Sequence, residues 1–443
     1  MFTRKDAVVA LAACTLLASA GMAKAETTPA LTLTPSVVHL DEAAPRGLLM
    51  SGADEIGVGK TLDQYGINIY GWVEAGYTAN LRNNAAASSR PGPFTTERGN
   101  HFTFNQLDLR IERQVDLKKF DVGGMVEMVY GTDSNFIQSN GMQIQTNGAK
   151  GLDDADNPGE TPILEFVQAY VDIAIPVGNG LKLRAGKFVT LLSYETIAPA
   201  TNPFYSHSLL FNTVAATQTG VLGTYAFNDQ WAVTAGATRG WDQSTEDNND
   251  AIDFLGQVSW TPNKKLTALL NLSSGPQNSS VYFMTNNKVF ADSVDNRLQS
   301  DNAHWRTTID PVVTYQLTEK LKLGAEVLYI YDGGYNAMGG NGTPRSYGDV
   351  WGAALYAGYQ INDMFTLNGR VEKLHDYRGG TTMNFYEATA GVTIVPMPKD
   401  KIGHNLMIRP ELRYDTSEDK VYSAGNNSYR DNWTVGCDVI FTF

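Results

Sequence analysis

Apolar and polar residues alternate along most of this chain. In the stretch 67–81, Ile67, Ile69, Gly71, Val73, Ala75, Tyr77, Ala79 and Leu81 take the odd positions, and Asn68, Tyr70, Trp72, Glu74, Gly76, Thr78 and Asn80 lie between them. A period of two places these sets on opposite faces of a β-strand. Comparable runs begin near Gln106, Phe120, Val167 and Leu181, and recur at 219–227, 231–241, 251–261, 266–274, 305–317, 321–332, 349–361, 365–376, 384–395, 405–415 and 431–443, sixteen in all. A tilted strand needs ~9–11 residues to cross a bilayer, and these runs are of that order. The pattern predicts an all-β fold: a transmembrane antiparallel β-barrel of about 16 strands.

The spacing between runs gives a second, independent signal. Even-numbered strands end in short turns such as Asn228-Asp229-Gln230 and Asn362-Asp363-Met364. Odd-numbered strands mostly end in long polar loops, among them 82–101, 134–160, 191–217 and 275–304. Outer-membrane barrels segregate connections in this way, with turns in the periplasm and loops outside, whereas a soluble sandwich has no reason to. Trp231, Trp260 and Phe365 at the turn ends, and Trp241, Trp305, Trp351 and Trp433 at the loop ends, read as two interfacial aromatic belts on the lipid face. The chain closes on Val439-Ile440-Phe441-Thr442-Phe443, a terminal strand that must pair with the first.

If the apolar face meets lipid, the alternate face lines a lumen. It carries Glu74, Arg110, Glu127, Arg184, Asp310, Glu326, Arg370, Glu372, Arg409, Glu411, Arg413 and Asp438, all taken as pore-lining candidates. A Lys or Arg at mid-depth on the lipid face would cost ~2–4 kcal/mol, so this charge density requires a hydrated interior. The segment 191–211 is the most apolar of the long loops and would not extend into bulk water. It is expected to fold into the lumen as a constriction, with Glu195, Tyr205 and His207 facing wall arginines such as Arg184, Arg370, Arg409 and Arg413; packing on a neighbouring subunit is the competing arrangement. Inward Trp72, Tyr170 and Tyr356 raise the question of an aromatic track for sugars.

The N-terminus reads as an export signal: basic Arg4 and Lys5, an apolar core at 7–20 and the cleavage site Ala23-Lys24-Ala25. Leu11-Ala12-Ala13-Cys14 offers a competing lipoprotein box. The domains expected are a signal peptide at 1–25, a periplasmic or plug segment at 26–66 with a short helix within 43–62, and the barrel at 67–443. Cleavage after Ala25 leaves Cys437 alone, so no internal disulfide can form.

Composition narrows the function. With 34 Lys+Arg against 47 Asp+Glu the net charge is −13, which excludes a nucleic-acid partner and gives a lumen richer in acids a mild cation preference. The 6 histidines are scattered without metal-ligand spacing, and no metal or cofactor is expected. Gly57-Val58-Gly59-Lys60-Thr61 lacks the first glycine of a phosphate loop, and Ser206-His207-Ser208 has no nucleophile elbow around it, so no enzyme is expected.

Gly71-Trp72-Val73-Glu74, Asn105-Gln106-Leu107-Asp108-Leu109, Tyr130-Gly131-Thr132-Asp133, Gly186-Lys187-Phe188, Asn202-Pro203-Phe204-Tyr205-Ser206-His207-Ser208, Arg239-Gly240-Trp241-Asp242 and Arg409-Pro410-Glu411-Leu412-Arg413-Tyr414-Asp415 occur in this order. In these motifs the chain resembles the putative β-barrel porin-2 (OmpL-like) family over about residues 67–443. The resemblance implies an outer-membrane porin, a water-filled channel for passive diffusion of small hydrophilic solutes. A barrel closed by its loops, serving as anchor or adhesin, is the alternative. The partners expected are outer-membrane lipid and small hydrophilic solutes or ions, with a homotrimer as candidate assembly.

Overall fold

The computed structural model describes residues 47–81, 101–142, 163–247, 249–277, 284–285, 288–289, 305–335, 346–378, 381–424 and 427–443. The expected signal peptide, the tail up to residue 46 and the middles of several long loops lie outside the described residues.

Sixteen strands form one closed antiparallel barrel in which every strand pairs with its neighbours in sequence. They are β1 (Ile67–Asn80), β2 (His101–Arg113), β3 (Asp121–Gly131), β4 (Ile163–Ile175), β5 (Leu181–Val189), β6 (Thr217–Ala226), β7 (Trp231–Trp241) and β8 (Asp253–Asn263). The second half comprises β9 (Leu266–Pro276), β10 (Trp305–Gln316), β11 (Leu321–Tyr335), β12 (Ser346–Gln360), β13 (Phe365–Arg378), β14 (Thr381–Ile394), β15 (Leu406–Ser417) and β16 (Asp431–Thr442). Two small hairpins, Met284–Thr285 with Lys288–Val289 and Tyr422–Ala424 with Asn427–Tyr429, stand apart from the barrel sheet.

β16 closes on β1, with register from Trp72 opposite Thr442 to Asn80 opposite Thr434. Phe443 extends this seam. Its N–H donates to the Gly71 carbonyl at 2.9 Å, and the Gly71 N–H donates to the Phe443 carbonyl at 3.0 Å. Deleting Phe443, or changing it to Asp, is therefore expected to lower the fraction of heat-modifiable folded barrel on a gel. An unchanged fraction would show that the seam forms without its last pair.

The faces follow the alternation, with two corrections. Along β9–β14 part of the inward face is apolar: Leu269 and Val312 nearer the turn side, and Leu328, Ile330, Val350, Leu374, Met383 and Phe385 from mid-strand to the loop side, are buried inside the barrel. The inward face was expected to line a hydrated interior; here it packs against protein instead of water. Trp241 was expected on the lipid face and turns inward, where its ring nitrogen donates to Ser273 Oγ at 3.2 Å and Arg306 lies over its ring. Gly240, at φ +97°, and a register shift between Gln218 and Gly220 account for the turn.

At the turn side, two helices, α1 (Leu48–Glu55) and α2 (Gly59–Tyr65), stand where one short helix was expected within 43–62, and α2 runs beyond that bound. The Tyr65 carbonyl accepts from Arg113 Nε at 2.9 Å, which ties α2 to the end of β2.

Candidate functional site

The connection between β5 and β6, residues 190–216, folds into the barrel and is called the inner loop here. Its own side chains shape it. Asn202 accepts from the Thr196 N–H at 2.9 Å and donates to the Thr196 carbonyl at 2.6 Å, stapling one bend. Ser208 Oγ accepts from the Phe211 N–H at 2.9 Å and starts the short turn Phe211–Thr213. At the far end, Asp242 Oδ1 accepts from the N–H groups of Ala216 and Thr217 at 3.1 and 2.9 Å. Burial pushes the Asp242 carboxyl up to about 6, against these bonds.

The loop is fastened to the wall chiefly through its backbone. Arg409 Nη1 donates to the carbonyls of Pro199 and Asn202, both at 2.7 Å. Arg413 Nη1 donates to the His207 carbonyl at 2.6 Å, and Arg370 Nη1 donates to the Ser206 carbonyl at 2.9 Å. Acids take the N–H groups: Glu411 accepts from Tyr205 and Ser206, Glu372 from Leu209 at 2.8 Å, and Asp310 from Ser193 at 2.6 Å. A chain segment inside a membrane barrel must find partners for its peptide groups, and these charged side chains supply them. Charge-assisted bonds of this kind are about twice as strong as neutral ones.

Apolar contacts add to the polar ones. Leu209, Leu210 and Tyr194 pack on the apolar patch of β9–β14. Each fully buried leucine contributes roughly 1.5–3 kcal/mol. Ile197 and Phe211 pack on Val129 and Val167 of β3 and β4, and Ala198 and Ala200 on Trp72, Met407 and Ile440. Tyr194 stacks on Tyr356 at 4.1 Å between ring centroids. The wall makes room with glycine: a Cβ on Gly76 would lie 2.4 Å from the Tyr205 ring, and one on Gly324 would lie 2.6 Å from the Tyr194 ring.

Glu195 is the loop's charged centre. Its Oε1 accepts from Arg370 Nη1 at 2.7 Å and from the Tyr356 hydroxyl at 3.2 Å. Its Oε2 accepts from the Ser208 N–H at 2.9 Å and lies 3.0 Å from His207 Nδ1. Burial pushes the Glu195 carboxyl up, but Arg370 and His207 outweigh it and hold the carboxyl at about 2, below the ordinary 4.5.

The candidate residues thus fall into two groups. Glu195, Tyr205, His207, Asp310, Glu372, Arg370, Glu411, Arg413, Arg409, Glu74 and Asp438 meet around the inner loop, with Arg409 bound to Asp438 and 3.4 Å from Glu74. Glu326 lies buried on β11 nearby. Arg110, Glu127 and Arg184 lie elsewhere, on β2, β3 and β5. Arg110 pairs with Glu127 at 2.8 Å and lies over Trp72, while Arg184 pairs with Asp172 through two bonds of 2.9 Å and stacks over Tyr170. Arg184 therefore does not face Glu195. Trp72, Tyr170 and Tyr356 do not line up as an open track, since Tyr356 is covered by Tyr194 and Trp72 by Arg110. The inward glycines and Asn202 were missed as site residues; glycine recurring on the polar face of the alternation is the signal that marks them.

The model of the family described as putative beta-barrel porin-2, OmpL-like, matches residues 66–443. The chain belongs to this family. It is an outer-membrane porin barrel, and the inner loop lies within it. A search of curated proteins found no match. Solved structures share the fold at low identity. The outer-membrane channel DcaP of Acinetobacter baumannii is 13% identical, with a TM-score of 0.53 over 85% of this chain and 97% of its own. OmpT of Vibrio cholerae, in its trimer form, is 11% identical, with a TM-score of 0.52 over 85% and 99%. An anion-selective porin from Comamonas acidovorans is 11% identical, with a TM-score of 0.50 over 85% and 99%.

Proposed function

We propose that this porin passes small hydrophilic solutes by passive diffusion and that the inner loop sets the size limit. The observation that carries this reading is the fastening of residues 190–216 to the wall by Arg370, Arg409, Arg413, Glu372, Glu411 and Asp310. A narrowing held this firmly sieves by size, and its charged lining favours hydrated solutes over apolar ones. The closed-barrel alternative has its own support, because Phe204, Ser206, Ser208, Leu209 and Leu210 are almost fully buried. Planar-bilayer recording and liposome swelling with a graded solute series decide. Discrete conductance steps and a sharp size limit are expected; a folded barrel with neither is an anchor.

The mild cation preference remains part of the proposal and rests on the chain's excess of acids. Many of those acids are engaged by arginines or loop N–H groups. Partly exposed inward charges near the turn side include Lys182 and Lys322 as well as Glu112 and Asp121, so the local balance leaves the sign to the measurement. The Comamonas porin shows that this fold is compatible with anion selectivity. The reversal potential across a salt gradient settles the sign. A homotrimer is proposed with the OmpT trimer form as precedent, and crosslinking of the unheated protein tests it.

A further inference from the structure

The outer wall carries a cation, Lys373, that the channel does not use. Lys373 on β13 pairs across the sheet with Ala353 and Tyr386, on the face shared with the exposed Val371 and Leu355, so it points outward. Its Nζ lies 4.6 Å from the centre of the Trp351 ring and 5.6 Å from that of Tyr386. His375 stacks on the same Trp351 at 5.1 Å. Among the described residues no carboxylate pairs with Lys373, unlike Arg239 on β7, whose guanidinium is bonded to Asp247.

Depth decides what this cation meets. Lys373 lies eight residues beyond Phe365, the first residue of β13. At about 3.3 Å per residue and a tilt near ~40°, that is roughly 20 Å above the turn-side belt, close to the upper edge of an apolar band ~25 Å tall. Only residues 379–380 separate β13 from β14, so no long connection follows on this side. Directly below Lys373 the outer wall forms an apolar groove of about 810 Å3, with Leu355, Val371, Leu412, Tyr414 and Trp433 among its lining.

We propose that this face is a binding site for one phosphorylated lipid of the outer leaflet. The phosphate sits on Lys373, with the Trp351, His375 and Tyr386 rings around it, and the acyl chains lie in the groove. Charge complementarity favours this occupant over a second copy of the chain: the face offers an uncompensated cation but no exposed carboxylate that pairs with it. The outward orientation and leaflet rest on the outer-membrane reading; the open or closed state of the lumen does not enter.

The test is native mass spectrometry of the full barrel titrated with monophosphoryl lipid A and, separately, with phosphatidylcholine. Wild type is expected to retain one lipid A and to prefer it to phosphatidylcholine. Lys373→Met should weaken lipid A binding about fivefold and leave phosphatidylcholine unchanged, while Lys373→Arg keeps it. Ala388→Phe, which fills the groove, should weaken both. Equal lipid A binding by wild type and Lys373→Met overturns the site, as does an assembly that loses subunits on Lys373→Met. Heat-modifiable mobility of each variant verifies folding, and bilayer conductance of the same samples reads the channel separately. A barrel that conducts without retaining lipid A loses only this site.

Discussion

Deleting Pro199–His207 is expected to raise single-channel conductance several-fold and to move the solute limit to larger sugars. Resistances along a pore add in series, so the narrowest segment dominates. The deleted residues supply the carbonyls that Arg370, Arg409 and Arg413 use, and the N–H groups that Glu411 uses. Each such charged hydrogen bond is worth about 1.5–3 kcal/mol, but water entering the widened lumen replaces much of it. The closed ladder of sixteen strands is untouched. The barrel should therefore still fold, and lose its heat-resistant mobility at a lower temperature than wild type. Conductance and solute limit both unchanged would mean that the path is narrowest elsewhere, with residues 26–66 the next segment to truncate.

The strands were legible because a lipid-facing wall enforces alternation at every second residue. β7 runs Trp231–Trp241, as the pattern has it, and the remaining fifteen runs each fall on a strand. β2 and β4 start earlier than their clear alternation, at His101 and Ile163. A register shift at Asn105 on β2 and at Val167 on β4 moves the alternation by one residue there. The apolar inward patch was hidden for a different reason: its inward face packs on the inner loop and not on water. Val327-Leu328-Tyr329-Ile330-Tyr331 is continuously apolar, which is how a strand buried on both faces reads, yet it was taken as alternating. The inner loop was legible as a constriction because a long apolar connection has nowhere else to go. Its fastening was not, because period two places Arg184 and Arg370 on the same face without giving their height or their position around the barrel. The wall pairs Arg184 with Asp172 across two neighbouring strands, whereas Arg370 meets Glu195, a residue 175 positions away in sequence.

Arg370→Met is expected to cost the most of any single change in the lumen. The guanidinium reaches Glu195 at 2.7 Å, Glu387 at 3.1 Å and Glu372 at 3.5 Å, and it holds the Ser206 carbonyl as well. Its side chain is fully buried. Removing one partner of a buried ionic cluster leaves the others uncompensated, which typically costs about 3–5 kcal/mol. The barrel should lose heat resistance and its inner loop should loosen, seen as a noisier open channel at pH 7. Lys in place of Arg keeps a charge but not the fork that serves Glu195 and Glu387 together, so Arg370→Lys should fall between the two. The pH dependence follows from Glu195. In wild type its carboxyl is held at about 2 against an ordinary 4.5, so its contribution is complete above about pH 4.5 and is lost as pH falls through about 2. Wild type should keep its channel noise and heat resistance down to about pH 4. Without Arg370 the Glu195 carboxyl loses its strongest counter-charge and takes up a proton at higher pH, which relieves the uncompensated charge. The deficit of Arg370→Met should therefore be largest at pH 7 and shrink towards pH 4. A variant as heat-resistant as wild type at pH 7, or a deficit that grows on acidification, would show that Arg370 does not hold the loop through Glu195.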